Sequence, residues 1–260
     1  MPALCFPGVL HRVGSTFWPS EYRRPGAVTE DVHISTADPG RRVGTEARKT
    51  YAVKIQNGFI DKYLSGGAIL DIGYKGYESD VLPIVPQAIG VDFDYPGYDG
   101  ETLPFASGSQ DAVFSSHCLE HLNDARAAIR EWFRVLKIGG FLVICVPHQY
   151  LYEKRLTLPS QWNRDHRRFY TPATLMADIE AALEPNSYRV RHLIDNDLGY
   201  DYAIPPNQHP GGSYEIELVL EKIAPPPWRL ASATEAERKG RARDGSGWWW
   251  RRWHRRGSSR

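Results

Sequence analysis

Six consecutive apolar residues, Phe141-Leu142-Val143-Ile144-Cys145-Val146, follow directly on Gly139-Gly140. A strand with no polar face is buried on both sides, as strands are inside a parallel sheet covered by helices above and below. The preceding segment supplies one such cover. Ala125, Ala128, Ile129, Trp132, Phe133 and Leu136 recur at helical spacing, and Gly139-Gly140 is expected to end that helix.

The rest of the chain repeats this alternation. Tyr51, Ala52, Ile55, Phe59 and Tyr63 predict a helix from Thr45, stopped by Gly66-Gly67. Short strands are expected at 68–72, 88–92 and 112–115. Thr171-Pro172 opens a helix that runs to about Leu183, and two late strands lie near 188–194 and 215–223. Strands alternating with helices predict a doubly wound α/β domain over residues 45–224. Residues 1–44, rich in Pro, Gly and Arg, read as an irregular arm. Residues 225–260, opening on Pro225-Pro226-Pro227, read as a disordered tail.

The formal net charge of +1 hides an asymmetry. Residues 229–260 carry ten basic residues against three acidic ones, which leaves the remainder at −6. A mildly acidic body gives no reason to expect a nucleic-acid groove. In the tail, Trp248, Trp249, Trp250 and Trp253 interleave with Arg251, Arg252, Arg255 and Arg256, a pattern suited to weak contact with an anionic membrane surface. The chain lacks the roughly 18–20 consecutive apolar residues of a membrane helix. Its cysteines, Cys5, Cys118 and Cys145, form neither a zinc pattern nor a disulfide framework. A cytoplasmic protein is expected.

Four segments carry chemistry. Leu70-Asp71-Ile72-Gly73-Tyr74-Lys75-Gly76 is a strand that ends in a glycine turn, where backbone can approach a ligand and a following helix start would offer N–H donors. Gly90-Val91-Asp92 places a carboxylate at the next strand end, facing the crevice of an open sheet, where a ribose hydroxyl pair can be held. The third runs from Asp99-Gly100 through Leu103-Pro104-Phe105 to Ser116-His117-Cys118-Leu119-Glu120-His121. The fourth is Glu131-Trp132-Phe133-Arg134-Val135-Leu136-Lys137-Ile138-Gly139-Gly140.

In this order the segments resemble the class I S-adenosylmethionine-dependent methyltransferases of the type 11 branch, with its LPF, LEH and E-x-x-RVLK-x-GG pieces. The resemblance covers residues 65–150, and more loosely 45–223. It implies a Rossmann-like, mostly parallel sheet and S-adenosylmethionine as cofactor. It further implies that Asp71, Gly73, Tyr74 and Gly76 hold the methionine part, that Asp92 binds the ribose, that Asp99 and Gly100 lie beside the adenine, and that Ser116 and His117 face cofactor and acceptor.

Two departures stand out. A lysine, Lys75, occupies the central glycine position of the family's G-x-G-x-G loop, which is costly if that position needs positive φ. The stretch between Asp92 and Asp99 is too short for a crossover of a dozen or more residues. The third strand of the fold and its helix are therefore expected to be reduced or missing. His117-x-x-Glu120-His121 also fits the H-x-x-E-H pattern of some zinc peptidases. The strand-to-helix corner of the fold accounts for it, no third ligand stands out, and no metal is expected.

Residues 148–170, with His148, Tyr152, Trp162, Asn163, His166 and Arg167, follow a crevice-side strand end and form the expected acceptor region. The polar insertion 195–214 could close over it. Histidine titrates near neutral pH, so His148, and after it His117, is the expected general base for a hydroxyl. The leading acceptor is a saccharide or glycolipid, a small metabolite being the alternative. A non-catalytic binding module is the rival that Lys75 favours. A dinucleotide dehydrogenase is weaker, because no G-x-G-x-x-G is present.

Overall fold

The computed structural model describes residues 38–228. The expectations for residues 1–37 and for the Trp/Arg-rich tail lie outside that span. Six strands form one sheet: β1 (Ile69–Ile72), β2 (Ala88–Val91), β3 (Gln110–Ser116), β4 (Leu136–Pro147), β5 (Tyr188–Asp195) and β6 (Glu215–Lys222), in the order β2-β1-β3-β4-β6-β5. The first four pair in parallel, while β6 runs antiparallel between β4 and β5.

Alternation along each interior strand separates two apolar layers. Leu70, Ile72, Val113, Leu142 and Ile144 point to one face, where α3 (Ala125–Val135) and α4 (Pro172–Ala182) supply Ile129, Trp132, Leu175 and Ile179. Ile69, Phe114, Val143 and Val219 point to the other, beneath Tyr51, Phe59, Ile60 and Tyr63 of α1 (Thr45–Gln56) and α2 (Phe59–Tyr63). This is the double cover that the apolar run of β4 requires.

The helix predicted from Thr45 is broken in two. Gly58 takes φ +74°, and the Asn57 side chain accepts from Phe59 N at 3.0 Å. Asp124 caps α3 by accepting from Ala127 N at 2.9 Å, and Thr171 with Thr174 forms a capping box before Pro172. α3 ends at Val135, earlier than Gly139-Gly140, and the chain enters β4 at once. A Cβ on Gly140 would stand 2.9 Å from Asp111 O, so that glycine serves a close strand approach.

The shortened sheet is as the sequence implies. β2 is an edge, and residues 92–109 reach β3 through turns with neither strand nor helix. Arg134 and Glu131 of α3 hold this connection. Arg134 donates to Leu103 O at 3.2 Å, Phe105 O at 2.9 Å and Ser107 Oγ at 2.9 Å, while Glu131 accepts from Leu103 N at 2.8 Å. One expectation fails: no helix follows the β1 turn. Residues 73–87 cross over irregularly, since Pro83 and Pro86 remove N–H donors and the stretch lacks an apolar period. No helix among the described residues is long and apolar enough to cross a membrane.

Candidate active site

β1, β2 and β3 end side by side at Gly73, Asp92 and His117, and two adjoining cavities open beyond them. The first, about 220 Å³, is lined by Asp71, Gly73, Tyr74, Gly76, Ser116, His117, Glu120, His121, Tyr152, Asn163 and His166, among others. The second, about 290 Å³, has Asp92, Phe93, Tyr98, Cys118 and Leu122 on its wall. Gly73, Gly76, Tyr77, His117 and His121 border both. This is the crevice at the carboxyl ends of parallel strands where ligands of such sheets bind.

Gly73 has φ +72°, and a Cβ there would come within 2.6 Å of Cys118 Sγ, so backbone conformation and space both demand glycine. Gly76 also has positive φ, at +51°. Lys75 does not: among the described residues, only His117, Lys154, Asn186 and Tyr214 combine a side chain with left-handed backbone. The strain feared for a lysine in this loop is absent. Its N–H points to Asp92 Oδ2 at 3.4 Å, and its ammonium pairs with Asp94. The ring of Tyr74 covers Gly90 of β2, where a Cβ would lie 2.6 Å from it.

Asp71 is buried, accepts from Ile84 N at 2.6 Å, and has its carboxyl pushed up to about 7 by burial. Asp92, also buried, accepts from Phe93 N at 2.9 Å and keeps its place on the second cavity wall. Phe93 and Tyr98 lie near parallel there, with ring centroids 6.4 Å apart. Neither Asp99 nor Gly100 lines the cavity, although Gly100 O accepts from Tyr98 Oη at 3.3 Å and Gly100 lies against the Phe93 ring. The Asp99 carboxylate is exposed and caps its own turn, accepting from Glu101 N at 2.9 Å and Thr102 N at 2.6 Å.

The histidines sort differently from the expectation. His148 lines neither cavity. Its Nδ1 accepts from Tyr150 N and Leu151 N at 3.0 and 3.2 Å, capping the turn Gln149–Glu153, and Nε2 faces Asp195 at 3.4 Å. Both ring nitrogens are thus engaged away from the crevice. His117 stands at the strand end with φ +52°, a conformation that costs of order 1–3 kcal/mol for a side-chain-bearing residue. It is held there by its N–H to Cys145 O at 2.9 Å and by Nε2 against Glu215 Oε2 at 3.2 Å. Burial alone would depress its pKa, but the hydrogen bond to Glu215 and the charges of Glu120 and Glu215 outweigh that and raise it. Ser116 Oγ is buried on the first cavity wall without a hydrogen-bond partner.

Sequence reasoning missed Glu215, which stands in a strand otherwise read as structural. It is fully buried, salt-bridged to Lys54 at 2.5 Å, and accepts from Thr50 Oγ1 at 2.9 Å. Burial would raise its carboxyl, yet Lys54 and His117 hold it down at about 2. It missed Tyr98 and Phe93 as well. From the acceptor region, Tyr152, Asn163 and His166 reach the first cavity and Arg167 the second, whereas the insertion 195–214 contributes to neither wall.

The walls fit an adenosyl cofactor carrying a methionine tail. A buried carboxylate and two aromatic rings suit a ribose and a purine, and backbone at Gly73 that tolerates no side chain borders both cavities. A family described as "Methyltransferase domain" matches residues 81–144. A Mycolicibacterium smegmatis protein named "Probable S-adenosylmethionine-dependent methyltransferase" is 26% identical over 181 residues, spanning 63% of this chain and 68% of its own. Among solved structures, a SAM dependent methyltransferase from Archaeoglobus fulgidus is 16% identical, with a TM-score of 0.43 over 65% of this chain and 93% of its own. One from Aquifex aeolicus is 15% identical, with a TM-score of 0.41 over 75% and 94%.

Proposed function

We propose that this chain is a class I S-adenosylmethionine-dependent methyltransferase, as its similarity to that family supports, and that its acceptor is a hydroxyl group on a saccharide or glycolipid. The observation that carries the reading is His117 on the wall of the first cavity, paired with the fully buried Glu215. A hydroxyl is a poor nucleophile until a base takes its proton. Glu215, kept ionised by Lys54, takes the Nε2 proton of His117 in a hydrogen bond and so leaves Nδ1 as the basic nitrogen.

S-adenosylmethionine, when bound, supplies an electrophilic methyl group on a sulfonium. Asp92 would hold its ribose, and the loop around Asp71, Gly73 and Gly76 its methionine part. The chain's own contribution is to place the acceptor oxygen in line and accept its proton at His117 Nδ1. The first cavity, at about 220 Å³, is smaller than the ~300 Å³ where drug-sized pockets begin. Its hydroxyl, amide and imidazole groups (Ser116, Tyr152, Asn163, His121) suit one polar ring. The thiols Cys118 and Cys145 are free, which supports a cytoplasmic placement.

The test offers the full chain a panel of sugars, sugar glycosides and amine metabolites with methyl-labelled cofactor. Label should enter hydroxyl-bearing sugars. Label confined to amines would end this reading. His117→Gln should lower kcat by about 10²–10⁴-fold while leaving cofactor affinity unchanged.

A further inference from the structure

Glu120 is completely buried, and neither carboxylate oxygen has a hydrogen-bond partner. A buried carboxylate left unsatisfied is expensive, so such a group calls for an explanation. What surrounds it is three imidazoles. Oε1 lies 3.7 Å from His121 Nε2, 3.8 Å from His166 Nε2 and 3.8 Å from His117 Nδ1, too far for hydrogen bonds. The ligand atoms of Glu120, His121 and His166 all lie within 4.8 Å of one another, and the rings of His121 and His166 meet edge to face at 4.7 Å.

Metal–ligand bonds of 2.0–2.2 Å at tetrahedral angles set neighbouring donors about 3.3–3.6 Å apart, a few tenths inside the 3.7 and 3.8 Å that separate Glu120 Oε1 from the two imidazole nitrogens. The outer partners agree. His166 Nδ1 hydrogen-bonds to Glu153, which fixes the tautomer and turns the Nε2 lone pair toward Glu120. Glu153 is itself fully buried and accepts from Ser160 Oγ at 2.6 Å.

We propose that Glu120, His121 and His166 bind a divalent first-row transition-metal ion on the wall of the first cavity. Two imidazoles and one carboxylate leave coordination positions open, as in catalytic rather than structural zinc sites. The three ligands line the same cavity as His117, Ser116 and Tyr152. An ion held there would supply Lewis acidity toward an acceptor hydroxyl, and His117 Nδ1 would take the hydroxyl proton. The ion's role toward the acceptor rests on the hydroxyl reading above; its binding does not. Sequence spacing pointed to His117 and His121 as the pair, with no third ligand. The fold brings in His166 instead, because Arg167 N bonds to Glu120 O at 2.9 Å and pins that segment beside the Leu119–His121 turn.

The test strips the purified full chain with a chelator and titrates it with Zn²⁺ by calorimetry and with Co²⁺ by visible absorption, with neither cofactor nor acceptor present. One ion per chain is expected, with the strong ligand-field bands of low-coordinate Co²⁺. His121→Ala and His166→Ala should each weaken binding by at least about a hundredfold, since an outer partner alone is worth about 10–100-fold. Glu153→Gln should fall within that smaller range, and His209→Ala should bind as the parent does. His121 is partly exposed, so its variant should fold, and circular dichroism checks this. No bound ion, or binding indifferent to both histidine variants, would overturn the site and leave a buried His166–Glu153 hydrogen bond. Full methyl transfer to a hydroxyl after chelation would overturn the ion's role. Tight Zn²⁺ binding with methylation of amines only would overturn the acceptor reading and leave the site standing.

Discussion

Asp71 lines the first cavity just before the turn that Gly73 makes, buried, with one backbone N–H as its compensation. Burial holds its carboxyl at about 7, against about 3.9 in an open chain. The sign follows from proton counting. Below pH 4 both states are protonated; between about 4 and 7 the unfolded chain ionises first, so the folded state holds more protons and stability falls as pH rises; above 7 the loss is complete. Three units amount to about 4 kcal/mol. Asp71→Asn should therefore lose much less stability than the parent between pH 4.5 and 7.5, read as urea midpoints without cofactor. Equal losses in the two proteins would show that this carboxyl ionises in the folded state as it does in water. Asp92 is the contrasting acid, on the wall of the second cavity rather than the first. Charge-assisted hydrogen bonds to two ribose hydroxyls are worth roughly 1.5–3 kcal/mol. Asp92→Ala should weaken S-adenosylmethionine by about ten- to a hundredfold by calorimetry, and an unchanged affinity would assign the ribose to another group. Lys75→Gly has no strain to relieve, since Lys75 has ordinary backbone, so no gain in affinity is expected from it.

At the level of elements, what was legible was what the neighbouring sequence itself decides. The apolar run of β4, the stripe of α3 and the Thr171-Pro172 start of α4 all express burial or capping along the local chain, and all stand within a few residues of expectation. The missing edge strand was legible from length alone. The choice of histidine was not. His148 and His117 both follow strand ends, but the first is turned into a cap by two N–H groups while the second is fastened to Glu215, distant in sequence and two strands away across β4. The start of β6 therefore supplies the partner of His117 from the antiparallel side of the sheet. Lys54 of α1 joins it there, bridging Glu215 at 2.5 Å and Glu217 at 2.7 Å with almost no exposure, while His192 and Asn196 complete the shell of Glu217 at 3.2 and 2.8 Å. Burial would lower the lysine's pKa, but the two carboxylates raise it, so it stays charged. Removing one partner of a buried pair strands the other charge, typically at a cost of about 3–5 kcal/mol. Lys54→Met should show that loss in urea unfolding. A loss below about 1 kcal/mol would mean that one of the two carboxylates takes up a proton in its place.

Across the whole molecule, charge is divided by position: the first 228 residues carry −6 and the last 32 carry +7. An acidic enzyme body has no attraction for an anionic leaflet, so any such attraction falls to the tail. Half of the chain's eight tryptophans stand there, at 248–250 and 253, beside four arginines. Indole rings favour the bilayer interface, and each basic residue near an anionic surface adds about 1 kcal/mol. A weak tether of this kind would raise the local concentration of lipid-linked acceptors without altering the crevice at the strand ends. The full chain should therefore co-sediment with phosphatidylserine-containing vesicles at low salt and come off as salt is raised, because screening shortens the reach of those charges. Replacing Trp248, Trp249, Trp250 and Trp253 by serine in the full chain separates the two contributions. Reduced binding with the same salt dependence is expected, since the arginines remain. Binding that is equal for parent and variant would reduce the effect to charge alone, and no binding by the parent would remove the tether.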